Sequence, residues 1–324
     1  MRAGLGYDAI QPPAAPMSLP FDPLSIKFLV VYAYVGAVLA IHLRGRARLR
    51  FDRQLVDHSA LFAPYNLLMY AFSKVPSKPV VERARFAELD ALKGHWQTIR
   101  AEALALAEAG HIRKAERRND ASFDSFFRQG WKRYYLKWYG NALPSAQAQC
   151  PQTVALVNAI PTVKAAMFTL LPPGSKLNAH RDPFAGSLRY HLGLVTPNSP
   201  DCRILVDGEE LVWRDGEDFM FDETFVHWAE NRTEHTRVIL FCDIERPLHT
   251  PLVRAINRAV SRFMGQATAT ENVPGEPVGA INRLYARLNR FNSTLGGWKR
   301  RWPRSFRTVK YLLILTVLAL IFLR

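Results

Sequence analysis

The chain has 324 residues, enough for one large domain or two modest ones with appendages; at 48% hydrophobic and 22% charged it is neither disordered nor of low complexity. Its three cysteines (Cys150, Cys202, Cys242) contain no Cys-x-x-Cys, which excludes a disulfide scaffold and a thiolate zinc site and fits a reducing compartment. The net charge of +15 sits in the ends: residues 1–53 hold seven Lys/Arg against three Asp/Glu, residues 251–324 thirteen against two, and residues 54–250 twenty-three of each. Both basic ends carry apolar runs, so the charge reads as membrane-facing, and no nucleic-acid partner is expected.

Residues 1–23 read as an extracytoplasmic segment ahead of an apolar run from Leu24 to Leu43, LSIKFLVVYAYVGAVLAIHL. As a helix, twenty residues span ~30 Å, the thickness of a bilayer's hydrocarbon core. Arg44, Arg46, Arg48, Arg50 and Arg53 follow at once, so the positive-inside rule puts the chain after residue 44 on the cytoplasmic side. The run lacks the basic opening and small-x-small ending of a cleaved signal peptide.

Residues 86–118 are rich in Ala, Leu, Glu, Lys and Arg with apolar residues at helical spacing, and predict helix. From Val163 the texture changes to short apolar runs between turn residues: KAAMFTLL, SLRYHLGLV, CRILVDG, ELVWRDG, DFMFDE and TRVILFCDI. With PPGSK and TPNSPD read as turns and Asp-Gly at 207–208 and 215–216, this predicts an antiparallel barrel or sandwich. The middle, residues 44–250, is therefore α+β, a helical half followed by a β half.

Beyond it, PLVRAINRAVSRF (251–263) spaces Arg254, Arg258 and Arg262 by four, opposite Leu252, Val253, Ile256, Val260 and Phe263. The stretch 281–291 sets Arg283, Arg287 and Arg290 against Ile281, Leu284 and Leu288. Both predict amphipathic helices on an anionic membrane surface, with 265–279 as a linker, the whole filling 251–307. The final segment, 308–324, holds the apolar run Tyr311 to Leu323, read as a second, C-terminal membrane segment. Its thirteen residues reach only ~20 Å as a helix.

The chemistry lies in the β half. In an extended stretch, His180 and Asp182 share a face and can point at one cation. His227 lies 45 residues after Asp182. Two histidines and a carboxylate make the facial triad of non-haem Fe(II) oxygenases, which leaves open metal positions for co-substrate and O2. Arg237 follows ten residues after His227, on a strand that aligns Arg237, Ile239, Phe241 and Asp243. An arginine facing inward needs an anion, which a dicarboxylate co-substrate supplies. Arg189 and His191 share a face of SLRYHLGLV, and a solvent-facing stripe is the plain alternative. Asp222, Glu223, Ser187 and Asn231 stay undecided between supporting a ligand imidazole and an ordinary turn.

The stretches LLPPGSKLNAHRDPFAGSLRYHLGLVTP and DGEDFMFDETFVHWAENRTEHTRVILFCDIERPLHT resemble the aspartyl/asparaginyl beta-hydroxylase family. Within it the likeness is closest to the bacterial lipid A acyl-chain 2-hydroxylases, and it extends upstream through 51–76 and 125–151. The resemblance implies a double-stranded β-helix (jelly-roll, cupin-like) domain binding Fe(II) through His180, Asp182 and His227. It further implies Arg237 on the distal carboxylate of 2-oxoglutarate, and Arg189, His191 and Thr169 as further co-substrate contacts, with Trp138 lining the same pocket. Asp182 departs from the animal peptidyl branch, which has glycine there.

The resulting expectation is an oxygenase of the bacterial inner membrane, its catalytic domain facing the cytoplasm, that hydroxylates the 2-position of an acyl chain on lipid A. The same chemistry on an ornithine lipid, or on Asp/Asn side chains of peptides, is the alternative. A metal-free lipid-binding barrel is the reading from outside enzymology.

Overall fold

The computed structural model describes residues 24–51, 58–113, 119–141 and 143–302, with isolated positions beyond. In chain order the helices and strands are α1 (Ile26–Leu43), α2 (His58–Leu61), α3 (Ala63–Ala71), β1 (Val80–Val81), α4 (Asp90–Gly94), α5 (Trp96–Glu108), α6 (Asp124–Phe127), β2 (Lys132–Trp138), α7 (Pro144–Gln149) and α8 (Pro151–Ala159). The β half follows as β3 (Val163–Leu171), β4 (Lys176–His180), β5 (Ser187–Val195), β6 (Cys202–Val206), β7 (Glu209–Val212), β8 (Asp218–Phe221), β9 (His227–Asn231) and β10 (Arg237–Glu245). Helices α9 (Pro251–Ala267) and α10 (Ala280–Arg301) close the described chain.

The strands form a six-stranded antiparallel sheet, β1-β8-β5-β10-β3-β2, and a four-stranded one, β4-β9-β6-β7. Strands β3 to β10 enter the two sheets in the order of a jelly roll. Alternation decides what each sheet face sees. On β5 and β10, Arg189, His191, Phe241 and Asp243 look inward between the sheets, while Leu188, Tyr190, Leu240 and Cys242 lie under the helical layer, of which α5 packs on β5. With both faces covered, β10 is buried along its whole length.

The apolar runs of the β half become β3, β5, β6, β7, β8 and β10. Asp207 and Gly208 both take positive φ (53° and 92°), the type I′ pair that joins β6 to β7 in a two-residue hairpin. The second Asp-Gly is no hairpin: β7 and β8 belong to different sheets, and Asp215 instead bridges Gly193. PPGSK is a turn only in part, since Lys176 already begins β4.

Two further expectations need correction. The single helix over 86–118 is broken into a 3-10 turn at Ala87–Leu89, α4 and α5, with a discontinuity at His95; residues 114–118 lie outside the described residues. The supposed linker 265–279 begins inside the helix Pro251–Ala267, and the rest of it, 268–279, is a packed strap. Asn272 exchanges hydrogen bonds with the backbone of Tyr135 (2.8 Å each way), and Glu276 accepts from the amides of Asn272 (2.8 Å) and Ser145 (3.0 Å), so the strap covers the edge strand β2. Helix α9 is N-capped by Thr250 with Pro251 in its first turn, as such a pair favours. It seats on the domain through Val253, Asn257, Ser261 and Gly265, so that of its apolar stripe only Val253 is buried. Among the described residues α1 alone is long and apolar enough to cross a membrane; the run 311–323 lies almost wholly outside them.

Arg44, at the end of α1, is not a basic group free to meet lipid headgroups. Its guanidinium donates to Asp222 (2.8 Å) and Thr224 Oγ1 (2.6 Å) and lies over the rings of Tyr70 and Phe225 (4.0 and 3.7 Å). Arg246 also holds Asp222, at 2.9 Å, so loss of Arg44 leaves that carboxylate one cationic partner. Arg44→Ala should therefore destabilise the detergent-solubilised chain by about 2 kcal/mol in chemical denaturation, whereas Arg46→Ala should change it by less than about 0.5 kcal/mol. The Arg46 side chain is 85% exposed.

Candidate metal centre and anion slot

His180 ends β4 and His227 begins β9, and the two are cross-strand partners in the four-stranded sheet. Their rings lie 4.2 Å apart between centroids. Asp182, two residues on, brings Oδ1 to 3.4 Å from His180 Nε2 and 3.9 Å from His227 Nε2, and one donor atom from each residue lies within 4.8 Å of the others. The opposite ring nitrogens face backbone carbonyls: His180 Nδ1 donates to Asn178 O (2.8 Å) and His227 Nδ1 to Phe225 O (3.0 Å). A carbonyl can only accept, so each Nδ1 carries the proton and each Nε2 turns a lone pair toward the cluster.

The electrostatics fit a cation there. Burial, with His180 next, lowers the His227 imidazole to about 3, keeping it neutral. Burial alone would raise the Asp182 carboxyl, but Arg189, with the two histidines, holds it below the ordinary carboxylate range. Around Arg189 stand three carboxylates: Asp182 Oδ2 at 2.7 Å, Asp243 Oδ1 at 3.0 Å in ion-pair rather than hydrogen-bond geometry, and Glu223 Oε2 at 3.9 Å. Burial first, then Asp243, Asp182 and Asp222, push Glu223 up to about 8 against the pull of Arg189; Asp243 is raised as well. One guanidinium does not balance this acidic interior, and a divalent ion at the two histidines and Asp182 would.

Arg189 thus does not aim a free guanidinium at a co-substrate. Asp243 lies directly opposite it in the β5–β10 register, and the pair, with Tyr139 Oη donating to Asp243 (2.8 Å), fixes the outer oxygen of Asp182. Trp138 is likewise elsewhere. Its indole donates to Gly265 O (3.1 Å), outside the cavity lining, and packs on Tyr135 and Tyr139. Asp222 and Glu223 do not touch the His227 imidazole. Glu223 contributes its backbone carbonyl to the Asp182 amide (2.9 Å) and accepts from Ser187 Oγ (2.8 Å). Asn231 donates to the carbonyls of Leu171, Pro172 and His235.

Arg237 is different. It is 2% exposed, and its one side-chain partner among the described residues is Thr169 Oγ1, which accepts from Nη2 at 3.2 Å. It lies over the Trp213 ring at 4.4 Å, and among the described residues its Nε has no acceptor and no carboxylate stands within ion-pair distance. Burial lowers its pKa to about 10. Beside it His191 accepts the Trp213 indole proton at Nδ1 (3.2 Å), which leaves Nε2–H as a buried, unpartnered donor. Thr169, His191, Arg237, His180 and His227 line one pocket, whose other walls are mainly apolar, among them Phe126, Trp131, Trp213 and Phe241. A cluster of metal-ligand character and a buried cation without a counter-ion therefore share one cavity.

Sequence reasoning missed Trp213, which orients His191 and covers Arg237, and Phe126, which meets the His180 ring at 4.7 Å. It also passed over Arg181, buried between the two ligands, which ties the loop to Thr224 O and Arg44 O (both 2.9 Å). Tryptophan one residue before a turn, and arginine between two ligands, carry no spacing signal.

Fold and site together define a jelly-roll protein with a two-histidine, one-carboxylate cluster beside an anion slot. Residues 93–247 match the model of the aspartyl/asparaginyl beta-hydroxylase family. It is 40% identical over 131 residues to the ornithine lipid ester-linked acyl 2-hydroxylase of Rhizobium tropici, covering 40% of this chain and 46% of that protein. It is 32% identical over 126 residues to human aspartate beta-hydroxylase domain-containing protein 2, covering 36% and 34%. The chain thus aligns with less than half the length of these relatives. A Pseudomonas putida prolyl-4-hydroxylase is similar over 48% of this chain and 88% of its own, at 20% identity and a TM-score of 0.31.

Co(II) titrated into the purified chain, followed by its visible absorption, should bind stoichiometrically, and His180→Ala or His227→Ala should abolish it. Arg189→Met, which frees the outer oxygen of Asp182, should weaken binding roughly 10–100-fold.

Proposed function

We propose that this chain is a membrane-associated Fe(II)/2-oxoglutarate-dependent dioxygenase that hydroxylates the 2-position of a fatty acyl chain on a membrane lipid. The observation that carries the reading is the buried, counter-ion-free Arg237 in the cavity of the His180–Asp182–His227 cluster. A buried guanidinium is stable there when a ligand carboxylate completes it. Iron held by these three residues would supply the redox chemistry that couples O2 and 2-oxoglutarate decarboxylation to C–H hydroxylation, giving succinate and CO2.

The protein's own part is binding, orientation and exclusion of water. Arg237 and the Thr169 hydroxyl receive the distal carboxylate, and His191 Nε2–H donates to the same ligand. Arg189 holds the outer oxygen of Asp182, which keeps the inner one toward the histidines. Phe126, Trp131, Trp213 and Phe241 make the cavity apolar, which strengthens each charge contact within it.

A lipid substrate is supported by the relative named for ornithine lipid acyl 2-hydroxylation and by α1, an 18-residue apolar helix of which 17% is buried. The ester-linked chain of ornithine lipid is the first substrate to test and lipid A the second. The basic run after α1 supports a cytoplasmic domain at a bacterial inner membrane. The exposed arginines of α9 and α10 support attraction to its anionic surface.

Membranes containing the chain should release succinate from 2-oxoglutarate in the presence of one lipid class, and mass spectrometry should find a single added oxygen on that class. Arg237→Ala should raise the 2-oxoglutarate requirement by a factor worth roughly 2–5 kcal/mol. Unchanged 2-oxoglutarate dependence in that variant would remove Arg237 from the role.

A further inference from the structure

Helix α1 does not stand apart from the domain. The face formed by Ala37, Val38 and Ile41 packs on Ala60 and Ala63, with Leu67 and Tyr70 alongside, and Tyr34 Oη donates to Ala60 O at 2.9 Å. From Ile26 to Ala33 only about 12 Å of helix precedes this contact, against a hydrocarbon core of ~30 Å. If α1 enters a bilayer far enough to be held there, the half clasped by α2–α3 enters with it.

The clasping segment suits that surrounding. Residues 58–73, HSALFAPYNLLMYAFS, contain no Asp, Glu, Lys or Arg. Leu61 is 67% exposed on the outer side of α2, next to a helix whose Leu39 and Leu43 are 41% and 57% exposed. Helix α3 then runs back toward the foot of α1, where Tyr70 meets the Arg44 guanidinium.

Midway along α3 are the contacts to the metal-ligand loop. Asn66 donates to Pro183 O and accepts from the Ala185 amide, both at 2.9 Å. Tyr65 stacks on Phe184 with centroids 5.1 Å apart and planes at 15°. Gly186 completes the fit, because a Cβ there would overlap Tyr65, Phe184 and Asn257. Asn66 is four residues before Tyr70, so this grip lies about 6 Å along α3 from the Arg44 level, on the apolar side. Tyr65 Oη also donates to Asn257 of α9 (2.6 Å), whose Leu252 and Phe263 are 71% and 69% exposed, with Arg258 and Arg262 exposed beside them.

We propose that α1, α2–α3 and the outer stripe of α9 form one platform seated in the near leaflet of an anionic phospholipid bilayer, with the turn after Asp182 held at the boundary between headgroups and chains. This rests on the lipid-hydroxylase reading for its purpose but not for its geometry. The 2-carbon of an acyl chain adjoins the ester or amide carbonyl, at that same boundary. A site mounted on the platform meets the reacting carbon at its native depth, without drawing the lipid out of the leaflet.

The test uses the full chain in vesicles of phosphatidylcholine and phosphatidylglycerol. Nitroxides are placed in turn at Leu61→Cys, Leu39→Cys and Glu209→Cys; the three native cysteines are buried. Leu61 should match Leu39, open to oxygen and closed to a water-soluble nickel chelate, while Glu209 on β7 should show the reverse. A label at Leu61 as open to nickel as that at Glu209 overturns the proposal. In a second arm, Leu61→Glu should cut hydroxylation of a bilayer-resident lipid about tenfold and leave turnover of the same lipid in detergent micelles at the parent rate. Equal loss in both media also overturns it. Should the parent chain hydroxylate no lipid, the enzymatic reading fails while the depth measurement still decides the platform.

Discussion

Charge buried between two sheets must be neutralised, and the interior of this domain is organised by that requirement. Two arginines enter it from neighbouring strands. Arg189 is saturated, clamped between Asp182 and Asp243, while Arg237 has a hydroxyl and an aromatic face but no carboxylate. The first arginine fixes the carboxylate of the two-histidine cluster, and the second has no anionic partner among the described residues. Exchanging their environments would leave neither a shaped cluster nor a slot.

The same logic extends outward through the loops. Asp182 is fixed by its side chain to Arg189 and by its amide to Glu223, and Arg181 beside it is bonded to Thr224 and to the carbonyl of Arg44. The apolar helix, the ligand loop and the start of β9 therefore share hydrogen bonds. Such a site is set by rigid elements at its base, not by the loop's own preferences, which is the condition for holding ligands to a fraction of an ångström.

Much of this was legible in the residues. Runs such as TRVILFCDI announce strands because β-branched and aromatic residues fill a two-sided buried sheet, and Asp207-Gly208 announces its turn because both positions need positive φ. The histidines and Asp182 stood out by chemistry, and Arg237 by its position on an inward face. Other features had no local signal. KLNAH and HWAEN, which became β4 and β9, contain too few apolar residues to read as strands; their pairing is decided by the partner strands. The role of Arg189 could not be read because Asp243 is opposite it only through register, 54 positions away in the chain. Arg44 looked like any residue of a basic flank, and only tertiary packing turns it inward. Residues 265–279 look like a linker by their Pro and Gly content, yet Asn272 and Glu276 are buried by hydrogen bonds that composition does not reveal.

The indole of Trp213 has an effect beyond packing. By donating a hydrogen bond to His191 Nδ1 it fixes which imidazole nitrogen keeps a hydrogen, and Thr169, whose oxygen accepts from Arg237, keeps its own hydrogen to offer. Arg237, His191 Nε2 and the Thr169 hydroxyl can each then give a hydrogen bond at the inner end of the cavity. Such a lining favours a ligand that arrives with negative charge and oxygen lone pairs over one that arrives as an ammonium group.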